Sequence, residues 1–531
     1  MKRTYTILAL LTICIMSMAQ GIRIKSKNGG VMEEWNYNDF DSIVVEYSKE
    51  ADLSYNLPEL MKDNPKISLF AEALYATGLS DEMQKWRDVS WNPDWYEPRS
   101  IYVPYQWDYC HIPQTRYFKF TAFACPDSVL KAKYGITDLA SLYGYAQKLY
   151  GGDSWNTVAA QPEKMKEATN PLRRLMAYNC LKSYTSYDMF TTICTIATEM
   201  VDPTEWYATL DGGNLMKMER LTVSRYIGEG ETKNDLYLNR CNEKGISGVH
   251  VLRPEDDSTW RNGGYYLTDG LADFSEQTRQ TVFNTRIRMD LYTMFPEMLN
   301  NDIRDGRTTN RISDSNNPDP SVTSPNYWFP NGYIDGVKVN EDGYFFFQSQ
   351  HNTYWSYEGD EFGVASDANQ FDLEVKLPKL PEGTYQLRLG YNNMQYRPTC
   401  QFYVDGEPVG VPLDMSDKDF ENRSGWFALR FSGEEAMAKK TEMHNRGWYH
   451  GPKSVFSMSG EGHPDGSNNR GTYFCDLART VRYIIGTFPF KEGEEHTLRI
   501  HSVYAVGTCV LQLDYLEFVP QSVFEGDEDD L

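Results

Sequence analysis

The side chains with the most suggestive chemistry lie toward the C-terminus: Trp355, Tyr357, Tyr391, Asn392, Trp426, Trp448 and Tyr449. Indole and phenol rings stack on the apolar faces of pyranose rings, and neighbouring amides and carboxylates take the hydroxyls. The pattern is sharpest at 446–452, Arg-Gly-Trp-Tyr-His-Gly-Pro, where flanking glycines let two adjacent rings reach a surface. His444 and His450 flank those rings and invite a metal reading, but lone histidines in loops are ordinarily solvated, and no metal or cofactor is assigned. His496 and His501 have opposite parity on one strand and face opposite ways. No G-x-S-x-G, phosphate-loop or H-E-x-x-H motif occurs, so no catalytic residue is named. Asp and Glu are abundant, and a glycosidase pair needs a fixed separation across a cleft that spacing along the chain does not define. A glycan-active enzyme therefore stays as an alternative to a binding protein.

These rings need a scaffold, and the chain from 336 to 520 supplies a period of two. Phe371, Leu373, Val375 and Leu377 alternate with polar residues, as do Tyr385, Leu387, Leu389 and Tyr391. Val481, Tyr483 and Ile485, then Leu498 and Ile500, then Leu511, Leu513 and Tyr515 continue the pattern. Pro381-Glu-Gly383 joins two runs, and Asp405-Gly406 marks a hairpin between 401–404 and 408–413. Many short strands with turns predict an antiparallel sandwich with the candidate aromatics in its loops. The segments 380–389, 402–410 and 511–520 resemble galactose-binding-like jelly-roll modules, many of which bind carbohydrate.

Upstream, 118–127 reads Phe-Lys-Phe-Thr-Ala-Phe-Ala-Cys-Pro-Asp. Alternation predicts a strand with a buried face, Pro126 stops its ladder, and Asp127 opens a helical run closed by Gly135. Asn262-Gly-Gly-Tyr-Tyr-Leu-Thr-Asp-Gly-Leu271 reads as turn, strand, turn, and is expected to pair with the first stretch. Asn64-Pro65 opens a helix that Gly78 can end. The two strand motifs resemble the paired signatures of fasciclin-type domains, and 170–181 resembles their mid-domain helix. Asn179 follows Tyr178 where that family carries a His linked to adhesion. The resemblance covers roughly 53–275, with an aromatic-rich insertion at 81–117 expected to form its own small core. The order of motifs is similar to secreted Bacteroidota fasciclin proteins that end in such a sandwich, which implies a non-enzymatic, glycan-associated protein of the cell envelope.

Bulk properties fit a chain of two or three domains. At 531 residues it exceeds a single core, and its net charge of -23 argues against nucleic acid or an anionic membrane as partner. Residues 1–19 read as a signal peptide: Lys2-Arg3, an apolar run too short to span a bilayer, then Ser17-Met-Ala19 before Gln20. Ile13 before Cys14 is unsuited to lipid attachment, so simple secretion is expected, and no transmembrane segment follows. The cysteines show no paired framework, and Cys125, Cys180, Cys400 and Cys509 read as buried thiols.

The expected organisation is an α+β fasciclin-type domain followed by an all-β jelly-roll sandwich. Its parts are a signal peptide (1–19), a small β-module (20–52), the fasciclin-like domain (53–275), a helical connector and linker (276–335), the sandwich (336–520) and an acidic tail (521–531). The linker lies at 313–326 by its Pro/Asn/Ser composition, and its oxygens lack the EF-hand calcium spacing. The expected function is extracytoplasmic, non-catalytic binding or adhesion. The partner is a glycan or, alternatively, a cell-envelope protein held by the fasciclin-like domain.

Overall fold

The computed structural model describes residues 55–103, 106–191, 200–221, 235–254, 261–301, 303, 326–349, 356–358, 360–368, 370–393, 397–428, 433–452, 455–457, 472–473, 478, 480–505 and 509–525. The signal peptide, the β-module, the linker at 313–325, the end of the acidic tail, Cys194, Cys475 and Trp355 lie outside the described residues.

The 118–127 motif forms the strand Phe120–Ala124, buried at every position. Gly263–Leu267 pairs with it in parallel, Phe120 opposite Gly263 and Ala124 opposite Leu267, and Cys180–Leu181 pairs antiparallel on its other side. Gly263 is required there: its φ is +129°, and a Cβ would lie 1.8 Å from the Phe120 carbonyl oxygen. The ladder ends before Pro126. Asp127 then starts the helical run, its carboxylate accepting from the Leu69 N–H at 3.1 Å, and Gly135 closes the run in the left-handed region at φ +68°.

Three helices pack on this small sheet, the first beginning three residues after the expected Pro65, behind a short 3-10 turn. Ser68–Ala76 follows the Asn64 cap and Pro65, Leu139–Tyr150 is capped by Asp138, and Pro171–Tyr178 is capped by Asn170 with Pro171 in its first turn. Phe70, Leu74, Leu142, Leu172 and Met176 bury against Phe120, Ala122 and Ala124. Asn179 serves the fold directly. Its amide donates to the Leu175 and Ala272 carbonyls at 2.8 Å each and accepts from the Ala272 N–H at 3.1 Å. It ties the end of that helix to the segment after Gly263–Leu267. A four-stranded antiparallel sheet (Thr204–Ala208, Leu215–Leu221, Asp235–Leu238, Val249–Val251) completes this mixed unit.

The period-two region folds as expected into sheets that share a core. One five-stranded sheet runs Ile287–Asp290, Tyr515–Pro520, Gly383–Asn392, Thr480–Phe490, Trp448–His450. The other runs Val337–Val339, Asp372–Lys376, Thr497–Tyr504, Thr399–Val404, Glu407–Asp414. Leu387, Leu389 and Phe518 of the first meet Leu373, Phe402 and Ile500 of the second in one cluster. The expected hairpin turns at Asp405 (φ +52°) and Gly406 (φ +83°), both in the region that matches strand twist.

Two expectations are corrected. The 81–117 segment does not build a core of its own. Its hairpin, Arg99–Val103 with Gln106–His111, joins a six-stranded sheet with Asn326–Phe329, Gly343–Ser349, Asp360–Ser366 and Cys509–Leu513. Ile101, Cys110 and Ile112 therefore pack against Trp328, Phe346 and Val510. The connector is not wholly helical either. After the helix Glu276–Thr281, Ile287–Asp290 becomes an edge strand against Tyr515–Phe518, because Ile287 and Met289 also satisfy a period of two. The hydrophobic core runs on across the positions drawn as boundaries: Tyr178, Trp206 and Phe283 belong to the same cluster as Phe345, Leu389 and Leu498. Cys125, Cys180, Cys241, Cys400 and Cys509 are buried free thiols, and Cys110 is buried as well.

Candidate functional site

A turn at one end of the sandwich, following the edge strand Glu407–Asp414, forms the rim of a pocket. Met415 and Phe420 anchor it from below, with Phe420 meeting the Trp448 ring edge-on at 5.0 Å. Asp419 adopts φ +55°, and the short helix Phe420–Ser424 that follows stops at Gly425 (φ +73°). Arg423 braces the turn from inside by donating to the backbone carbonyls of Asp414, Ser416 and Lys418. Arg446 does the same from the Gly433–Asn445 helix side, donating to the Asn422 carbonyl. A turn held by two guanidiniums and a buried Phe presents its acidic side chains from a fixed backbone.

The pocket has a volume of about 390 Å³. Its lining includes Asn393, Asp417, Asp419, Glu421 and Asn422 above Phe420. Asn422 donates its amide to Asp419 at 2.6 Å. Asn393 is only 1% exposed, and its side-chain oxygen has no hydrogen-bond partner. An unmet buried acceptor costs about 1–3 kcal/mol, which a ligand donor can recover.

A polar layer continues inward from Asn393. The Asn392 carbonyl accepts from Arg397 at 3.2 Å, Arg397 also donates to Gln512, and Gln512 donates to Gln348. The register that pairs Phe362 with Leu513 sets Glu361 across from Asp514, and both are buried. Asp514 accepts from the Tyr357 N–H at 2.9 Å. Burial pushes the Glu361 carboxyl up to about 7; Arg397 pulls it down and Asp360 pushes it further up. Burial, then Glu361 itself, pushes Asp514 well above the usual carboxylate range. Charges so close and so buried favour a shared proton over two carboxylates.

In the five-stranded sheet, Glu517 lies opposite Arg288 on one neighbouring strand and Arg388 on the other. Arg288 also reaches Asp202 at 2.6 Å, and the Glu358 carboxylate accepts from the Asp202 N–H at 2.9 Å. These contacts form a charged seam between the sandwich and the upstream unit.

The residues of the predicted ring platform lie mostly inside the protein. Trp448 is 2% exposed and sits among Tyr391 at 6.0 Å, Phe420 at 5.0 Å and Tyr483 at 4.9 Å. Tyr449 lies between the Arg388 guanidinium and the His444 ring, each at 3.8 Å. Tyr357 and Tyr391 are buried in the core, and Trp426 is half-buried, tilted on His450 at 6.0 Å. The reason is local: Trp448–His450 is no loop but a strand paired with Val481–Tyr483, so its rings turn into the protein. Asn392 is the predicted residue that adjoins the pocket, next to Asn393. His450 is buried, and desolvation pushes its pKa down to about 4, so it is a neutral imidazole at pH 7. Among the described residues no cluster of His, Cys, Asp and Glu is placed to hold a metal ion. Sequence reasoning misses the turn at 416–422, Ser-Asp-Lys-Asp-Phe-Glu-Asn; its acids spaced around a single Phe, directly after a strand, are the signal it offers.

No family profile and no curated protein matches the chain. Among solved structures, a family 35 carbohydrate-binding module from Clostridium thermocellum is 11% identical, with 35% of this chain and 92% of that chain covered at a TM-score of 0.16. A Paenibacillus xanthan lyase is 13% identical over 35% of this chain and 12% of its own length, at a TM-score of 0.20. An exo-β-1,3-galactanase from Phanerochaete chrysosporium is 10% identical over 62% of this chain and 46% of that chain, at a TM-score of 0.17. The chain thus spans a small part of the lyase and under half of the galactanase, and overlaps at these scores carry no functional argument.

Proposed function

We propose that this is a non-catalytic, extracytoplasmic glycan-binding protein whose sugar site is the pocket between Asn393 and the 417–422 turn. The observation that carries the reading is Asn393, buried with an unpaired side-chain oxygen, in the lining of a cavity that Asp417, Asp419, Glu421 and Asn422 share with Phe420 and Ala478. Sugar hydroxyls donate hydrogen bonds to such acceptors, and the volume falls within the usual range of small-molecule sites, about 300–1,000 Å³. Recognition by hydroxyl contacts rather than ring stacking agrees with the burial of Phe420 and Trp448. The leader-like segment at 1–19 supports a location outside the cytoplasm. The carboxylate pair Glu361 and Asp514 is buried away from solvent, which supports binding over catalysis.

A glycan array on the mature chain tests the reading, paired with Asn393→Ala. Removing an unsatisfied buried acceptor offsets the cavity that truncation leaves, so N393A is expected to change Tm little while ligand is lost. An array with no bound glycan would overturn the proposal. The protein-adhesin reading would then take its place, favoured by Val89 and Trp95, which are 91% and 69% exposed in the 81–117 segment.

A further inference from the structure

Resting on the glycan reading, we infer that the pocket selects sugars bearing a free ammonium group over neutral and acidic ones. The polar part of the lining is rich in acceptors, beside the apolar Phe420 and Ala478. Asp417, Asp419 and Glu421 bring negative charge within one turn of chain, and Asn393 adds its unpaired oxygen. The donor that Asn422 offers is drawn to Asp419. Lys418, between Asp417 and Asp419, is exposed and does not line the pocket, and two neighbouring arginines are engaged elsewhere. Arg423 spends its donors on backbone carbonyls and leans toward Asp414 at 3.5 Å, while Arg446 holds the Asn422 carbonyl and Glu442. Neither arginine lines the pocket.

A neutral sugar can fill these acceptors with hydroxyl donors. An ammonium group brings three N–H donors and a charge of the right sign, and charge-assisted hydrogen bonds are about twice as strong as neutral ones. A uronic acid or sulfated sugar brings the wrong sign into a cavity that already concentrates it, on a chain of net charge -23. Asn393 is the independent pointer to a ligand: the residue lines the cavity, it is buried, and its side-chain oxygen has no hydrogen-bond partner.

Calorimetry on the full mature chain tests this with three probes: a glucosamine oligomer, its N-acetylated counterpart and a galacturonic acid oligomer. The first two differ at nitrogen, where acetylation removes the charge. The glucosamine oligomer is expected to bind at least about tenfold tighter than the acetylated one, with the galacturonic acid oligomer weakest. Its affinity should fall as salt is raised, because screening shortens from about 10 Å at 0.1 M to about 3 Å at 1 M. The variant Asp417→Asn/Glu421→Gln replaces half-buried and exposed carboxylates by amides of the same shape, so Tm stays put while the preference collapses. Diffuse attraction to the acidic surface would survive that double substitution, and such survival would overturn the assignment to this pocket. Equal binding of acetylated and free oligomers would overturn the charge selection while leaving the glycan reading intact. An array that binds no sugar at all would overturn both.

Discussion

Glu517→Gln is the sharpest probe of the charged seam. Glu517 sits at 0% exposure on Tyr515–Pro520. Its carboxylate accepts from Arg288 Nε at 2.7 Å and from Arg482 Nη1 at 3.1 Å to each oxygen, with Arg388 3.8 Å away. Burial alone would raise its pKa. Arg482, Arg288, Arg286 and Arg388 together reverse that and hold it well below the usual carboxylate range. Glutamine keeps the shape and removes the charge. Taking one partner from a buried pair leaves uncompensated charge and costs about 3–5 kcal/mol, against a total stability of about 5–15 kcal/mol.

The pH dependence follows from the sign of the shift. A depressed folded pKa contributes stability that is fully present above the ordinary Glu value of about 4.3 and is lost as pH falls toward the folded value. The gap between wild type and E517Q should therefore be constant from about pH 5 to 8 and shrink in stronger acid. Urea unfolding followed by tryptophan fluorescence at several pH values measures it. A loss below about 1 kcal/mol, or a gap that widens as pH falls, would refute the reasoning. Arg288→Met in the E517Q background should cost less than Arg288→Met alone, since the two side chains share one interaction.

Two further substitutions test neighbouring parts of the structure. Trp448→Ala removes an indole packed against Tyr391, Phe420 and Tyr483, and should cost about 3–5 kcal/mol with a clear drop in Tm by thermal melt. Ligand loss without a change in Tm would restore Trp448 as a binding platform. Glu361→Gln should flatten part of the pH profile. With the folded pKa raised to about 7 from 4.5, the folded state holds the extra proton, so its contribution is complete at low pH and is lost as pH rises through that window. E361Q should then gain on wild type between about pH 5 and 8 in urea titrations, and a difference independent of pH would count against the shared-proton arrangement.

How much of this is legible in the sequence depends on whether the deciding interaction is local. The strand Phe120–Ala124 is legible because Pro126, Asp127 and Gly135 punctuate it by rules that act within a few residues. Its pairing with Gly263–Leu267 is legible because glycine at 263 admits an approach that a side chain would block. The alternation at 385–391 also places Tyr391 on the same face as Leu387 and Leu389, and that alone sends it to the core rather than to a sugar. Trp448 gives no such warning, since a strand of three residues is too short to show a period. The connector fails for the opposite reason: Ile287 fits a helical spacing with Leu291 and a strand spacing with Met289, and only the edge offered by Tyr515–Phe518 decides between them.

The polar layer is hidden by a deeper limit of pattern reading. Arg388 alternates with Leu387 and Leu389, so the pattern sends it away from the sandwich core, and that much holds. A pattern does not say what covers the far side of a sheet. Here Tyr449 lies across the Arg388 guanidinium, and Arg288 joins Glu517 to Asp202 of the upstream unit, so a face that reads as solvated is sealed. Sealing changes the meaning of every charge on it. A carboxylate in water is cheap and uninformative, whereas Glu517 without water must have its arginines, and burial pushes Glu361 and Asp514 toward their protonated forms. The same logic separates the turn at 417–422 from the many other acids of a chain at -23. What distinguishes Asp417 and Glu421 is not their type or spacing but Asn393, brought across from another strand to leave one buried acceptor unfilled in the cavity they edge.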